Sequence, residues 1–113
     1  MSEDKAALFL YYWRLLAQDY PMPTAEYNFD KKIGRKHRFD FCWVDAMVAV
    51  EINGNAWHTK GGGRHGQDAD LEKMNLAVVM GYRVFQLSPA MLKKDAERWI
   101  DLIKDAISGG FVV

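Results

Sequence analysis

Two apolar runs separated by a two-residue break constrain this chain more than any other feature. His37-Arg38-Phe39-Asp40-Phe41-Cys42-Trp43-Val44 is followed, after Asp45-Ala46, by Met47-Val48-Ala49-Val50-Glu51-Ile52-Asn53. Runs this rich in aromatic and β-branched residues, joined so tightly, read as an antiparallel hairpin. A two-residue turn pairs Val44 with Met47. Stepping back then sets Trp43 against Val48, Phe41 against Val50 and Phe39 against Ile52, one wholly apolar face. The other face sets Arg38 against Asn53, Asp40 against Glu51 and Cys42 against Ala49. A slip of one residue would place Asp40 against Val50 and mix the faces, so the pattern itself selects the register. The turn lacks the favoured glycine, and a four-residue connection closed by Trp43 and Val48 keeps the same pairing.

That register sets two acids side by side. Opposed Cβ atoms in a sheet lie about 5 Å apart, and two carboxylates at roughly 4–5 Å repel by about 3–4 kcal/mol at an effective dielectric of 20. Something must offset this. A divalent cation of the Mg²⁺ or Mn²⁺ type would do so through hard oxygen ligands. A salt bridge to Arg38 or a nearby lysine, or a raised pKa on one acid, is the other solution.

The remaining chain supplies a frame for the hairpin. A helix capped by Ser2 carries Leu8, Tyr12, Leu15 and Leu16 on one face and stops before Pro21-Met22-Pro23. Glu26-Tyr27-Asn28-Phe29 alternates as a half-buried strand. Residues 54–66 hold five glycines in thirteen positions and form a loop. A helix starting at Asp68 buries Leu71, Met74 and Val78 and stops at Gly81. Tyr82-Arg83-Val84-Phe85-Gln86-Leu87 is a strand entered from a helix, expected parallel to the hairpin's second strand through a right-handed crossover. Ser88-Pro89 opens a last helix that buries Leu92, Ala96, Trp99, Ile100, Ile103 and Ile107, with a break near Lys94 and an end at Gly109-Gly110. The order is helix, three strands, helix, strand, helix: one α/β domain over residues 1–113, with a mixed sheet flanked by helices.

Composition narrows the functional classes. Half of the 113 residues are apolar and 13% are aromatic, enough for a packed core and contrary to a disordered polyampholyte. No run approaches the ~18 apolar residues of a membrane span. The start Met1-Ser2-Glu3-Asp4 is acidic where a signal peptide is basic, and the single cysteine, Cys42, suits a reducing cytoplasm. The zero net charge hides a segregation. Residues 1–30 carry five acids and two bases, residues 31–66 seven bases and three acids, and residues 67–113 seven acids and six bases. Lys31, Lys32, Arg35, Lys36 and Arg38, with His37, form a stretch without an acid, a footprint for phosphates or a solvated turn.

Taken together, Glu26-Tyr27-Asn28-Phe29, Arg38-Phe39-Asp40-Phe41, Glu51-Ile52-Asn53-Gly54, Trp57, Gly63-Arg64-His65, Asp70-Leu71-Glu72-Lys73-Met74-Asn75 and Gly81-Tyr82-Arg83-Val84 resemble the PD-(D/E)XK nuclease superfamily. Within it they resemble small phage-encoded Holliday junction resolvases, over about two thirds of the chain. The resemblance implies a restriction-endonuclease-like αβββαβ core and a Mg²⁺-dependent endonuclease, with Mn²⁺ substituting. Asp40 and Glu51 would hold the metal, with the Ile52 carbonyl and Glu26 completing the site; Glu3 competes with Glu26 for that role. The family lysine two residues after the glutamate is here Asn53, and Lys73 on the following helix is the candidate to replace it, with Lys60 second. Lys31, Lys32, Arg35, Lys36, Arg38, Lys60, Arg64 and His65 would contact DNA. Branched DNA is the implied substrate and a homodimer the implied assembly, in the cytoplasm of a bacterial host if the chain is phage-encoded.

Other patterns carry less. His58 and His65, without a second cysteine or regular spacing, do not make a zinc motif. Gly61-Gly62-Gly63 lacks the Lys-Ser/Thr of a nucleotide loop, so no nucleotide cofactor is expected. Trp57 can stack on a base or pack beneath the loop. Two further readings stand beside the resolvase: a duplex- or mismatch-nicking endonuclease of the same fold, and a non-catalytic DNA-binding module that has lost its lysine.

Overall fold

The computed structural model describes residues 2–53 and 63–109. Along the chain run α1 (Ser2–Leu16), β1 (Thr24–Asn28), β2 (Arg38–Trp43), β3 (Val48–Ile52), α2 (Gly63–Val79), β4 (Arg83–Leu87) and α3 (Pro89–Ile107). The strands form one mixed sheet in the order β1-β2-β3-β4. β1 and β3 are antiparallel to β2, and β4 is parallel to β3, as expected for a strand entered from a helix.

The hairpin takes the register its pattern selects: Phe41 opposes Val50, Cys42 opposes Ala49 and Trp43 opposes Val48. Its connection is the four-residue form. Val44–Ala46 make a 3-10 turn and Met47 adopts a left-handed conformation (φ 58°), its N–H donating to the Val44 carbonyl at 3.2 Å.

Both faces of the sheet are covered. On one side Phe41, Trp43, Val48, Val50 and Ile52 pack against α1 and α3. On the other, Cys42 and Ala49 lie buried with Ala77 of α2, so helices flank the sheet as the element order implies. Phe39 also departs from expectation. Instead of facing Ile52 on the first side, it sits on the α2 side, stacked on Phe29 at 4.1 Å with Tyr82 edge-on. The alternation shifts at Asp40. Level with it on β1, between the pairs Ala25–Phe41 and Tyr27–Phe39, lies Glu26 with φ 53°. Such a local departure turns a strand as a bulge does and re-aims the next side chain.

Helix faces were harder to read from sequence. α1 buries Phe9 and Trp13, with Ala17 just beyond its end, while Leu15 is 53% exposed and Leu8, Tyr12 and Leu16 only flank the core. A helix apolar on almost every side offers several seams of helical period, and the largest rings take the one facing the sheet. A fully buried aromatic contributes about 1.5–3 kcal/mol, so this choice outweighs the leucine spacing. Both Trp13 and Trp43 donate their indole N–H to the Pro21 carbonyl, at 3.1 and 2.8 Å, which fixes the exit of α1 onto the hairpin.

α2 starts at Gly63, earlier than Asp68, and among its described side chains the buried one is Ala77; Leu71 and Val78 are 56% and 71% exposed. A small residue there lets the helix approach the sheet. Its end is as expected: Gly81 (φ 91°) donates to Val78 and Tyr82 to Ala77, the two hydrogen bonds of a Schellman motif. α3 is capped by Ser88, whose hydroxyl accepts from the Met91 N–H at 3.1 Å, and is kinked at Asp95, beside the break expected near Lys94. It buries Leu92, Ile100, Ile103 and Ala106, with Trp99 and Ile107 at the margin. Among the described residues no helix is long and apolar enough to cross a membrane.

Cys42 tests this layering. Burial pushes its thiol up to about 12, so little thiolate exists at neutral pH. Iodoacetamide at pH 8 is expected to leave the native protein unlabelled and to alkylate Cys42 fully in guanidinium. Rapid labelling without denaturant would contradict the placement of Cys42 beneath α2.

Candidate functional site

The hairpin ladder stops at Phe41–Val50, and beyond it the two acids do what carbonyl groups would otherwise do. Glu51 Oε2 accepts from the Asp40 backbone N–H at 2.7 Å, and Asp40 Oδ2 accepts from the Ile52 N–H at 2.7 Å. Each carboxylate thereby satisfies a main-chain donor of the opposite strand. The strands part without orphaning those groups, and the acids are held side by side in the gap.

Lys73 closes the site from above. From α2 its Nζ donates to Glu51 Oε1 at 2.5 Å, with both side chains largely buried, and it lies 6.0 Å from the Phe39 ring centroid. The re-aimed Phe39 thus forms part of the platform under the lysine. Glu51 is only 9% exposed. Burial raises its pKa above the ordinary carboxylate range; the Asp40 charge pushes the same way, and the Lys73 hydrogen bond and charge pull it back without reversing it.

On the other side of β3, Glu51 is level with Gln86 of β4. Asn53, two residues on, donates from Nδ2 to Gln86 Oε1 at 3.1 Å, and its own N–H donates to the Leu87 carbonyl at 2.7 Å. Glu51, Lys73, Asn53 and Gln86 share the wall of a recess of about 210 Å3 at the end of the sheet.

Apart from the basic stretch, the residues singled out in the sequence separate into three groups. Asp40, Glu51, Ile52, Lys73 and Asn53 are brought together. Glu26 is exposed on edge strand β1, level with Asp40, and among the described residues no three His, Cys, Asp or Glu side chains gather as a metal-holding group. Lys60 lies outside the described residues, as do Trp57 and His58, and so do the side chains of Glu3, Arg64 and His65.

The basic stretch occupies the β1–β2 connection. Lys31 and Lys32 lie in a 3-10 turn ended by Gly34 (φ 78°), and Lys31, Lys32, Lys36 and Arg38 are exposed. Arg35 forms a salt bridge with Glu72, the residue before Lys73, so the loop leans on α2 beside the site. Sequence reading missed what shapes this loop. Asp30 is fully buried; its carboxylate meets His37 Nδ1 at 2.6 Å, accepts from the His37 N–H at 3.0 Å, and accepts from Asn28 Nδ2 at 3.0 Å. Asn28 also donates to the His37 carbonyl at 2.8 Å. An aspartate at a strand end before a basic run is a weak sequence signal. Gln86 was missed too, although a polar residue between Phe85 and Leu87 in a short strand was visible.

No family model, curated protein or solved structure matches the chain.

The raised pKa of Glu51 has a thermodynamic sign. The folded chain binds this proton more tightly than the unfolded chain does. Its contribution to stability is therefore full below the unfolded carboxylate value and is lost as pH rises through the higher folded one. Glu51→Gln removes this dependence. Denaturant titrations from pH 4 to pH 8 are expected to show stability moving in favour of Glu51→Gln, relative to the parent, as pH rises. Movement the other way would mean that the Lys73 pairing outweighs burial.

Proposed function

We propose that this chain is a metal-dependent endodeoxyribonuclease with a restriction-endonuclease-like core, acting on branched DNA and specifically on four-way junctions. The observation that carries this reading is the convergence of Asp40, Glu51 and Lys73 from three different elements, with the lysine 2.5 Å from the glutamate. Two acids that share a strand gap, plus a cation from a helix, form a donor set suited to phosphodiester hydrolysis. The missing lysine at Asn53 is then no obstacle, because Lys73 brings its charge to the same place.

The residues fit a hard divalent cation. Mg²⁺ is commonly held by one or two carboxylates and retains several waters, so Asp40 and Glu51 with the Ile52 carbonyl suffice without a third acid. Such an ion supplies activation of the attacking water and neutralises charge growing on the phosphate. Asp40 and Glu51, themselves held by the Ile52 and Asp40 amides, would be the side chains that hold such an ion. Lys73 steadies negative charge beside Glu51 and, by its pairing, keeps the acids from repelling in the absence of the ion. Lys31, Lys32, Lys36 and Arg38, together with Arg35 when released from Glu72, grip the flanking phosphates. Contacts of this kind carry no base sequence, which suits an enzyme that selects a DNA shape. Two symmetric cuts across a junction call for a two-fold dimer.

Asn53 favours the non-catalytic DNA-binding module as the second reading. One experiment separates the possibilities: four-way junction, flap, mismatch and linear duplex substrates incubated with Mg²⁺ or Mn²⁺. The expected result is paired cuts in the junction and little elsewhere, with Asp40→Asn abolishing cleavage while junction binding persists. Binding is expected to weaken with salt at a logarithmic slope of about −0.9 per neutralised phosphate. Cleavage of mismatched or linear duplex would support the nicking enzyme, and binding without cleavage in either metal would establish the module. Cleavage retained by Asp40→Asn would overturn the assigned site.

A further inference from the structure

The recess beside Glu51 is built on an amide pair as well as on acids. Asn53 Nδ2 donates to Gln86 Oε1, which uses the acceptor of Gln86 and leaves its Nε2 donors without a partner among the described residues. The same bond leaves Asn53 Oδ1 as an acceptor. Both residues line the recess that Glu51, Lys73 and Asp70 also line. Their placement is set by the sheet. Gln86 is the register partner of Glu51 in the parallel β3–β4 pair, and neighbouring strands lie about 4.8 Å apart. Asn53 follows Glu51 by two residues, where strand periodicity returns a side chain to the same face. The recess, about 210 Å3, has room for several waters at about 30 Å3 each, or for a phosphate group with its hydration.

We infer that Gln86 contacts the substrate, its Nε2 donating to a non-bridging oxygen of the scissile phosphate, while Asn53 holds Gln86 in that orientation and offers Oδ1 to a water proton. This rests on the nuclease reading and deepens it. The amide pair supplies directed donors and acceptors where a lysine would supply charge, so among the described residues the recess takes its positive charge from Lys73 of α2 and its orienting groups from β3 and β4. Neutral amides suit this position, because a cation here would compete with Lys73 for Glu51.

Two substitutions distinguish a phosphate donor from a mere bolt for Asn53. Gln86→Leu removes both the donor and the bolt, whereas Asn53→Ala removes the bolt and leaves the Gln86 donor in place. Single-turnover junction cleavage is measured for each, with thermal midpoint and junction binding in EDTA as controls. Loss of a directed donor to developing charge costs about a hundredfold in rate. Gln86→Leu is expected to fall by that order at the parent's thermal midpoint, and Asn53→Ala by less, because the donor is still present though no longer held. If Asn53→Ala is as slow as Gln86→Leu or slower, Gln86 is only a bolt and the inference is overturned. A rate loss in Gln86→Leu that tracks a lowered midpoint overturns it as well. Failure of the parent chain itself to cleave any substrate overturns the proposed function, and this inference with it.

Discussion

The exchange of hydrogen bonds between Asp40 and Glu51 governs the shape of this molecule's working end. In an ordinary hairpin the main chains would pair through to the strand ends. Here two carboxylates accept the amides of Asp40 and Ile52 at 2.7 Å each, and the ladder gives way to side chains. A pair of adjacent anions would be costly in a half-buried gap, yet each gains a charge-assisted bond and Glu51 gains Lys73 besides. The same departure turns Phe39 to the α2 side, where it underlies the lysine. Acid pair, strand gap and helix position are one connected arrangement, and disturbing any member moves the others.

The rest of the fold places polar groups around that end. Covering β3 on both faces leaves Glu51 in a setting dry enough to raise its pKa. The β1–β2 loop is shaped by an interior acid: Asp30 gathers His37 and Asn28, so the exposed lysines project from a fixed turn. Its link to α2 through Arg35 and Glu72 is exposed and contributes little to stability, of order 0–1 kcal/mol. A weak link of that kind can exchange for a phosphate without unfolding anything.

The hairpin and its register were legible because a one-residue slip moves every side chain to the wrong face, so the pattern admits one answer. The parallel fourth strand and the glycine stop of α2 followed from equally local rules. Helix faces were less legible. α1 is apolar nearly all round, and tertiary packing chose Phe9 and Trp13 over Leu8 and Leu15. α2 showed the converse, with Ala77 buried and Leu71 exposed, because close approach to a sheet rewards small residues. At the site, Asp40 and Glu51 came from pairing alone, and Lys73 from the vacancy that Asn53 leaves in a family pattern. Gln86 depends on a contact with a strand distant in sequence, which no spacing reveals, whereas Asp30 meets only its near neighbours Asn28 and His37, and nothing in that short spacing marks the acid as buried.

A direct probe of the central claim, that the Asp40–Glu51 pair exists to hold a divalent cation, is Mn²⁺ binding followed by electron paramagnetic resonance, with no DNA present. The expected result is one Mn²⁺ site per chain, displaced by Mg²⁺ and abolished in Glu51→Gln. Absence of saturable binding at millimolar Mn²⁺, or a site untouched by loss of Glu51, would mean that the two acids serve only to cap the strand ends and neutralise Lys73.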